Sequence, residues 1–170
     1  MTIAFRRMNA DDLDLLHEWL QRNHVRRWWS SRETYGEVVE HYLPAIEGRK
    51  PTQLYFIVLD ERPVGFIQTY LVTDYAEWRD LVELDEGVAG VDLFLADEEL
   101  TGRGLGSEIL AEFVREIVFA ASTTHACVAD PDAENRASIR AFEKAGFRRV
   151  RNYVDPTDQD RIHTLMRIDR

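Results

Sequence analysis

The sequence has 170 residues, of which 45% are hydrophobic and 11% aromatic. This length and composition favour a single domain over residues 1–170 with a sizeable buried core. The formal net charge of −10 disfavours nucleic acid or an anionic membrane as the partner and favours a cationic substrate, although acidity also serves solubility.

Hydrophobic periodicity in the first half of the chain predicts a strand, two helices and two strands. These elements cover residues 3–6, 13–20, 33–46, 54–59 and 64–72. Asn9 or Asp11 is expected to cap the first helix, and residues 28–31 interrupt the helical pattern. Residues 60–63 contain turn formers, so the two strands beside them are predicted to form an antiparallel hairpin.

The second half begins with an acidic, aromatic loop predicted over residues 73–90. A strand, a helix, a strand, a helix and two strands are then predicted over residues 91–96, 105–118, 125–130, 132–145, 147–154 and 162–168. Gly146 occupies the position where a left-handed residue ends a helix. This order of elements indicates an α/β fold, with a mixed sheet and helices on both faces.

The segment Thr101-Gly102-Arg103-Gly104-Leu105-Gly106-Ser107 has the features of a phosphate cradle. Glycines let consecutive amides turn towards an anion, and the following helix directs the positive end of its dipole at that anion. The segment lacks the terminal Gly-Lys-Ser/Thr of a Walker loop, and its alternate glycines fit the dinucleotide fingerprint poorly. We therefore expect a different phosphate-bearing cofactor.

Two motifs resemble those of the GCN5-related N-acetyltransferase (GNAT) superfamily, in the family's order. They are Arg103-Gly104-Leu105-Gly106 and Asn135-Arg136-Ala137-Ser138-Ile139-Arg140-Ala141-Phe142-Glu143-Lys144-Ala145-Gly146-Phe147. The resemblance implies a mixed, mostly antiparallel sheet of about seven strands flanked by about four helices. It also implies binding of acetyl-CoA, with its pyrophosphate on the glycine loop and its pantetheine arm along the strand before that loop. The implied cofactor-binding residues are Leu93, Phe94, Leu95, Arg103, Gly104, Leu105, Gly106, Ser107, Asn135, Arg140, Phe142 and Lys144.

Further runs between residues 12 and 150 resemble the aminoglycoside 6′-N-acetyltransferases. They include Glu18-Trp19-Leu20, Trp28-Trp29, Tyr42-Leu43-Pro44, Pro63-Val64-Gly65, Gln68-Thr69-Tyr70 and Gly90-Val91-Asp92. The related siderophore acetyltransferases usually carry a histidine at the position of Asp92. Asp92 therefore favours the aminoglycoside branch.

Two positions depart from the family pattern. Thr101 replaces a frequent Gln or Arg, which removes a side-chain contact but leaves the backbone cradle. Phe142 stands where many members carry a tyrosine that is thought to protonate the departing thiolate, and phenylalanine cannot donate a proton. Because a thiol has a pKa of about 8.5, we expect the loss to slow the reaction more than abolish it, with solvent serving as the proton donor instead.

Acetyl transfer to an amine requires a proton acceptor and a polarised thioester carbonyl. Asp92 is the candidate proton acceptor because it interrupts an apolar strand, and the alternative is a structural aspartate hydrogen-bonded within the sheet. A backbone amide of Leu93 or Phe94 is the candidate group that polarises the carbonyl. These roles are implied largely by the resemblance.

The candidate acceptor-binding residues are carboxylates, aromatic residues and one amide. They are Trp28, Trp29, Gln68, Tyr70, Asp74, Asp85, Asp92, Asp130 and Asp158. Asp130 is expected beside Asp92 across the sheet, where two carboxylates would suit a polyamine. The alternatives are core packing for the tryptophans, a helix-entry turn for Asp130, and a solvated face for Asp74, Asp85 and Asp158.

The predicted function is direct transfer of acetyl from acetyl-CoA to the 6′-amine of an aminoglycoside. The alternatives are acetylation of a siderophore hydroxylysine or another small amine, and a coenzyme A binding module without turnover, which Phe142 leaves open. We expect a cytoplasmic monomer or homodimer without a leader, a membrane span or a metal. The single cysteine, Cys127, fits a reducing compartment.

Overall fold

The computed structural model describes residues 1–29 and 32–170, and within them it contains seven strands and six α-helices. The strands are β1 (Ile3–Arg7), β2 (Gln53–Leu59), β3 (Arg62–Leu71), β4 (Val88–Leu95), β5 (Ala126–Ala129), β6 (Arg148–Asp155) and β7 (Arg161–Asp169). The helices are α1 (Leu13–Leu20), α2 (Asn23–Trp29), α3 (Tyr35–Ile46), α4 (Ala76–Val82), α5 (Leu105–Glu116) and α6 (Arg136–Lys144). No helix among the described residues is long and apolar enough to cross a membrane.

The seven strands form one hydrogen-bonded sheet in the order β1-β2-β3-β4-β5-β7-β6. The pairs β1–β2, β2–β3, β5–β7 and β6–β7 are antiparallel, whereas β4 and β5 are parallel. The predicted mixed, mostly antiparallel sheet is therefore confirmed. The hairpin of β2 and β3 is also confirmed, and its turn residues Asp60 and Glu61 both have positive φ.

Two helices occur where the sequence predicted other structure. Helix α2 extends into the predicted interruption at residues 28–31, of which Ser30 and Ser31 lie outside the described residues. Helix α4 lies within the predicted acidic loop. Only Val82 of α4 is buried, and the helix ends at Glu83 with φ 56° rather than at a glycine, so neither an apolar face nor a stop signal marked it.

Side-chain and glycine caps define several helix ends. Asn9 accepts a hydrogen bond from the Asp11 amide at 2.9 Å and caps the short 3-10 turn Ala10–Asp12 that leads into α1. The α1 helix itself begins after Asp12 without a side-chain cap, so the predicted cap lies one turn before the helix. Thr34 and Glu37 form a capping box at the start of α3. Gly146 has φ 101° after α6, as the sequence predicted.

Backbone contacts divide the chain into two compact units. Unit 1 comprises Met1–Thr69 and Asp92–Leu100, and unit 2 comprises Tyr70–Val91 and Thr101–Arg170. The single domain over residues 1–170 stays a prediction.

The core of unit 1 joins α1, α2 and α3 to strands β2 and β3. Its fully buried members include Leu16, Leu20, Val38, Phe56 and Phe66. Their spacing at three or four residues in the helices and at two residues in the strands produces this burial.

Unit 2 has its own buried clusters. One combines Val82, Val88, Val128 and Leu165 with Tyr153. Helix α5 buries Ile109, Leu110 and Phe113, and α6 buries Ile139 and Phe142. The helices predicted over residues 105–118 and 132–145 thus correspond to α5 and α6, although α6 begins only at Arg136.

The substitution Gly65→Ala tests how closely β3 approaches β4. A Cβ at this position would lie 2.5 Å from the carbonyl oxygen of Phe94, which requires the backbone to shift. We therefore expect Gly65→Ala to lower the free energy of unfolding by about 1–3 kcal/mol, as measured by chemical denaturation.

Gly36→Ala, within α3, is the matched control. The nearest atom to its added Cβ is Thr34 Oγ1 at 4.0 Å, and alanine is the better helix former by up to about 1 kcal/mol. Equal stability of the two variants would contradict the close approach at Gly65.

Candidate active site

The glycine loop of unit 2 has a backbone suited to an anion. Gly102 has φ 72° and Gly104 has φ 87°, a region that favours glycine, and a Cβ at either position would meet nothing within 4 Å. Gly104 also precedes α5 and makes no side-chain cap to its amides. The loop therefore presents backbone to open space at the positive end of a 12-residue helix.

This cradle fits the diphosphate of coenzyme A. Ser107 Oγ donates to the Gly104 carbonyl at 2.6 Å, which stabilises the turn, while Arg103 is exposed. The buried Leu105 side chain holds the first turn of α5 in the core. Arg140 and Lys144 are exposed and lie four residues apart on α6, and their contact with the cofactor stays a prediction.

Asn135 caps α6 with its side chain. Its Oδ1 accepts a hydrogen bond from the Ser138 amide at 3.1 Å. The NH2 group of Asn135 is thus the part of the side chain that suits contact with a carbonyl of the pantetheine arm.

Phe142 belongs to the core of unit 2. Its side chain is 3% exposed, and its ring packs edge-on against Phe147 with 5.1 Å between centroids. The position at which the family pattern has a tyrosine is therefore filled by an apolar ring, and it holds no donor for a thiolate.

In unit 1, two predicted acceptor residues contact each other. Gln68 on β3 donates from Nε2 to Asp92 Oδ2 on β4 at 2.9 Å, and both side chains are half-buried. A neutral donor fixes the direction of the carboxylate without cancelling its charge. Leu93 and Phe94, which follow Asp92, are half-buried, and Leu95 is buried.

Trp29 lies at the end of α2 in an aromatic cluster of unit 1. Its ring packs edge-on against Phe94 at 5.0 Å and Phe66 at 5.7 Å, and its Nε1 donates to Tyr42 Oη at 3.2 Å. Trp28 instead lies under the guanidinium of Arg27, at 4.8 Å. Of the two predicted tryptophans, only Trp29 joins this cluster.

Polar contacts fasten the start of α2 to the segment at the end of β4. Arg22 donates to the Ala96 carbonyl at 2.8 Å and pairs with Asp97 at 2.7 Å. His24 Nε2 lies 3.0 Å from the Leu95 carbonyl. These contacts position the helix that carries Trp29.

An open cleft of about 720 Å³ lies beside the aromatic cluster of unit 1. Its lining residues are Trp29, Arg32, Glu33, Glu37, Glu40, His41, Tyr42 and Lys50. Sequence reasoning missed the three glutamates, although their spacing around the start of α3 places them near one another. The cleft thus combines aromatic rings with three carboxylates and two cationic side chains.

The negative charge of Asp92 affects the pKa of Tyr42 in the aromatic cluster. Burial raises the pKa of Tyr42 to about 12, the Trp29 hydrogen bond opposes the shift, and the charges of Glu33 and Asp92 add to it. Tyr42 therefore remains a neutral phenol at physiological pH.

In unit 2, Asp130 directly follows β5 and accepts a hydrogen bond from the Tyr153 hydroxyl. Trp78 Nε1 donates to the same hydroxyl at 3.0 Å. Burial, followed by the charge of Asp130, raises the pKa of Tyr153, so the phenol stays protonated. Sequence reasoning missed Tyr153, the one buried residue of β6, because its partners are distant in sequence.

The other predicted acceptor residues of unit 2 differ in their surroundings. Asp158 pairs with His163 at 2.9 Å, whereas Asp74 and Asp85 are exposed. Tyr70 is half-buried, packs edge-on against Tyr75 at 5.0 Å, and lies where a Cβ on Gly90 would clash with its ring. The neighbourhood of Asp92 and Asp130 stays a prediction. No group of three or more potential metal ligands occurs in residues 1–29 and 32–170.

Comparisons with known proteins give consistent matches. Residues 9–154 match the family model described as an acetyltransferase (GNAT) domain. Aminoglycoside N(6′)-acetyltransferase type 1 of Klebsiella pneumoniae is 33% identical over 160 residues, which are 91% of this chain and 78% of that protein.

Solved structures of an aminoglycoside acetyltransferase, AAC(6′)-Ib, also match. The complex with coenzyme A and kanamycin has a TM-score of 0.89 at 33% identity, over 99% of this chain and 95% of that one. The complex with paromomycin and acetyl-CoA has a TM-score of 0.90 at 32% identity, over 100% and 94% of the two chains.

The left-handed glycine of the cradle allows a direct test of cofactor binding. An alanine at Gly104 would carry a backbone strain of about 1–2 kcal/mol and place a methyl group in the open space of the cradle. We expect Gly104→Ala to weaken coenzyme A binding by about tenfold or more, as measured by isothermal titration calorimetry.

Gly106→Ala is the matched control for Gly104→Ala. Its added Cβ would meet the Ala141 Cβ at 3.7 Å, an ordinary contact within unit 2. We expect its affinity for coenzyme A to stay within about twofold of the wild type. Similar losses in both variants would show that the space beside Gly104 has no special role.

Proposed function

The chain belongs to the GNAT acetyltransferase family, and from this premise we propose that it transfers the acetyl group of acetyl-CoA to the 6′-amine of an aminoglycoside. The observation that carries the acceptor assignment is the Asp92 carboxylate, oriented by the Gln68 amide at 2.9 Å. The aminoglycoside enzyme of Klebsiella pneumoniae, at 33% identity, supports the same acceptor class.

Acetyl-CoA, when bound, supplies an activated thioester. Asp92 pairs with the ammonium group of the acceptor and takes one proton from it, so that the free amine can attack the thioester carbonyl. The nitrogen loses its second proton to water as the amide bond forms and the carbon–sulfur bond breaks. Gln68 keeps one carboxylate oxygen in place, so that Asp92 presents its charge in a fixed direction. The backbone amides of Leu93 and Phe94 are the groups that we assign to the thioester carbonyl.

Direct transfer agrees with the chemistry of the side chains. The single cysteine, Cys127, is fully buried in β5, so it offers no thiolate for a covalent acetyl intermediate. The amine of the acceptor therefore attacks the acetyl group itself.

The acceptor cleft of unit 1 suits a cationic sugar. Trp29 and Tyr42 offer apolar ring surface, and Glu33, Glu37 and Glu40 offer negative charge. Asp130 and Asp158 of unit 2 are the remaining carboxylates that we assign to ammonium groups. Both are half-buried and hydrogen-bonded, unlike the exposed Asp74 and Asp85.

Phe142 affects the expected rate of acetyl transfer and the choice between the proposed function and its alternatives. Since its buried ring cannot donate a proton, we propose that the thiolate leaves without a side-chain acid and takes its proton from water. The siderophore alternative is disfavoured by Asp92, and the alternative of a binding module without turnover rests on Phe142 alone. The cytoplasmic location and the monomeric or homodimeric state stay predictions.

A thiol-release assay tests the proposed activity. With acetyl-CoA as donor, we expect coenzyme A release with kanamycin and other acceptors that carry a 6′-amine, because their ammonium groups match the carboxylates. Spermidine and hydroxylysine serve as comparison acceptors in the same assay. Tight coenzyme A binding without release for any acceptor would support the binding module instead.

Replacement of the base tests the role of Asp92. An asparagine side chain at this position would keep the hydrogen-bonding shape but cannot accept the proton, so we expect Asp92→Asn to lower kcat by about 10²–10⁴-fold. Coenzyme A affinity should stay within about threefold, since the cradle is unchanged.

Asp60→Asn is the matched control, because it removes the same charge from unit 1 in the turn between β2 and β3. We expect its kcat to equal that of the wild type. A wild-type kcat in Asp92→Asn would remove Asp92 from the mechanism.

A further inference from the structure

His163 on β7 bridges two segments of unit 2. Its Nδ1 lies 2.7 Å from the backbone carbonyl oxygen of Asp130, and its Nε2 lies 2.9 Å from Asp158 Oδ2. A carbonyl and a carboxylate only accept hydrogen bonds, so both ring nitrogens must carry hydrogen. The imidazole of His163 is therefore protonated, because it is a stronger base than a carboxylate.

The charged groups around His163 favour the cation. The Asp130 carboxylate lies 3.9 Å from Nδ1, the Tyr153 ring stacks at 5.8 Å, and Asp132 on the segment after β5 pairs with Arg161 at 3.5 Å. Burial alone lowers the pKa of His163. The hydrogen bonds and charges of Asp130 and Asp158 outweigh burial, so the pKa is raised above its ordinary value of 6.5.

Asp158 lies in a strained turn between β6 and β7. Gln159 and Asp160 both have φ 56°, a left-handed conformation that costs a non-glycine residue about 1–2 kcal/mol. The Arg161 amide donates to the Asp158 carbonyl at 3.0 Å and closes the turn. Through its two hydrogen bonds, His163 connects the Asp158 side chain in this turn to the backbone carbonyl of Asp130.

We propose that protonated His163 is a positioning residue for the acceptor, which holds the Asp158 carboxylate and the Asp130 segment in the arrangement that binds ammonium groups. The inference rests on the proposed function, since it takes Asp130 and Asp158 as acceptor contacts. Tyr153 completes the arrangement because its hydroxyl orients the Asp130 carboxylate.

A pH dependence follows from the bridge. When His163 loses its proton, one ring nitrogen becomes an acceptor that faces another acceptor, and the strained turn is released. Acceptor KM therefore rises as the pH rises through the pKa of His163, while kcat is unchanged by this step. The contribution of the bridge to the free energy of unfolding has a matching pH dependence. It is complete below about pH 6.5 and is lost as the pH rises through the raised pKa of His163.

The first measurement is an NMR titration of the histidine imidazoles in the wild-type protein. We expect the pKa of His163 to lie above 6.5 and to fall in Asp158→Asn. An ordinary or lowered pKa in the wild type would overturn the bridge, and this result needs no destabilised variant.

The second measurement compares KM for kanamycin in the wild type and in His163→Gln, which cannot carry the charge. At pH 6 we expect KM to be about tenfold higher in His163→Gln, with kcat and coenzyme A affinity unchanged. The two KM values should converge as the pH rises. His17→Gln on α1 is the matched control and should follow the wild type at every pH.

A double-mutant cycle separates positioning from a general loss of structure. If His163 acts in part through Asp158, then His163→Gln raises KM by a smaller factor in the Asp158→Asn background than in the wild type. Additive effects, or a loss in kcat alone, would overturn the proposal. Failure to acetylate any aminoglycoside would instead contradict the proposed function, and with it the acceptor role of His163, whatever the titration gives.

Discussion

A half-buried carboxylate must accept hydrogen bonds if it is to remain charged and oriented, and this requirement governs the candidate acceptor residues. Asp92 accepts from Gln68, Asp130 from Tyr153, and Asp158 from His163. The donors to Asp92 and Asp130 are neutral side chains. His163 is cationic and offsets part of the charge of Asp158, which it contacts directly, and of Asp130, whose carboxylate lies 3.9 Å from its Nδ1. The acceptor residues thus differ in how much charge they present.

The cradle meets a different physical requirement, because an anion needs backbone amides rather than side chains. Gly102 and Gly104 have conformations that favour glycine, and α5 begins without a side-chain cap. Arg103, Arg140 and Lys144, the predicted cationic contacts of the cofactor, are exposed. The phosphate recognition that we propose therefore depends mainly on backbone geometry, and this is compatible with Thr101 standing where the family pattern has a Gln or Arg.

Patterns among neighbouring residues predicted most of the fold and the glycine cradle. The glycine loop, the hairpin turn at Asp60 and Glu61, and the helix end at Gly146 are each encoded by neighbouring residues, and sequence reasoning found them. Helix α4 was missed because it buries little surface and ends at Glu83. The partners of Asp130 were missed for another reason: Tyr153 and His163 lie 23 and 33 residues from it, and only the pairing of β6 with β7 brings His163 opposite Tyr153. Contacts of this kind depend on strand register, which a single sequence does not encode locally.

The burial of Cys127 has a consequence for the chemistry of the product. Acetyl transfer releases a free thiol, coenzyme A, which forms mixed disulfides with accessible protein cysteines under oxidising conditions. The chain contains one cysteine, and its side chain is fully enclosed in β5. The folded protein is therefore inert towards its own product and towards electrophiles that modify thiols, so oxidative stress would not inactivate it through this residue.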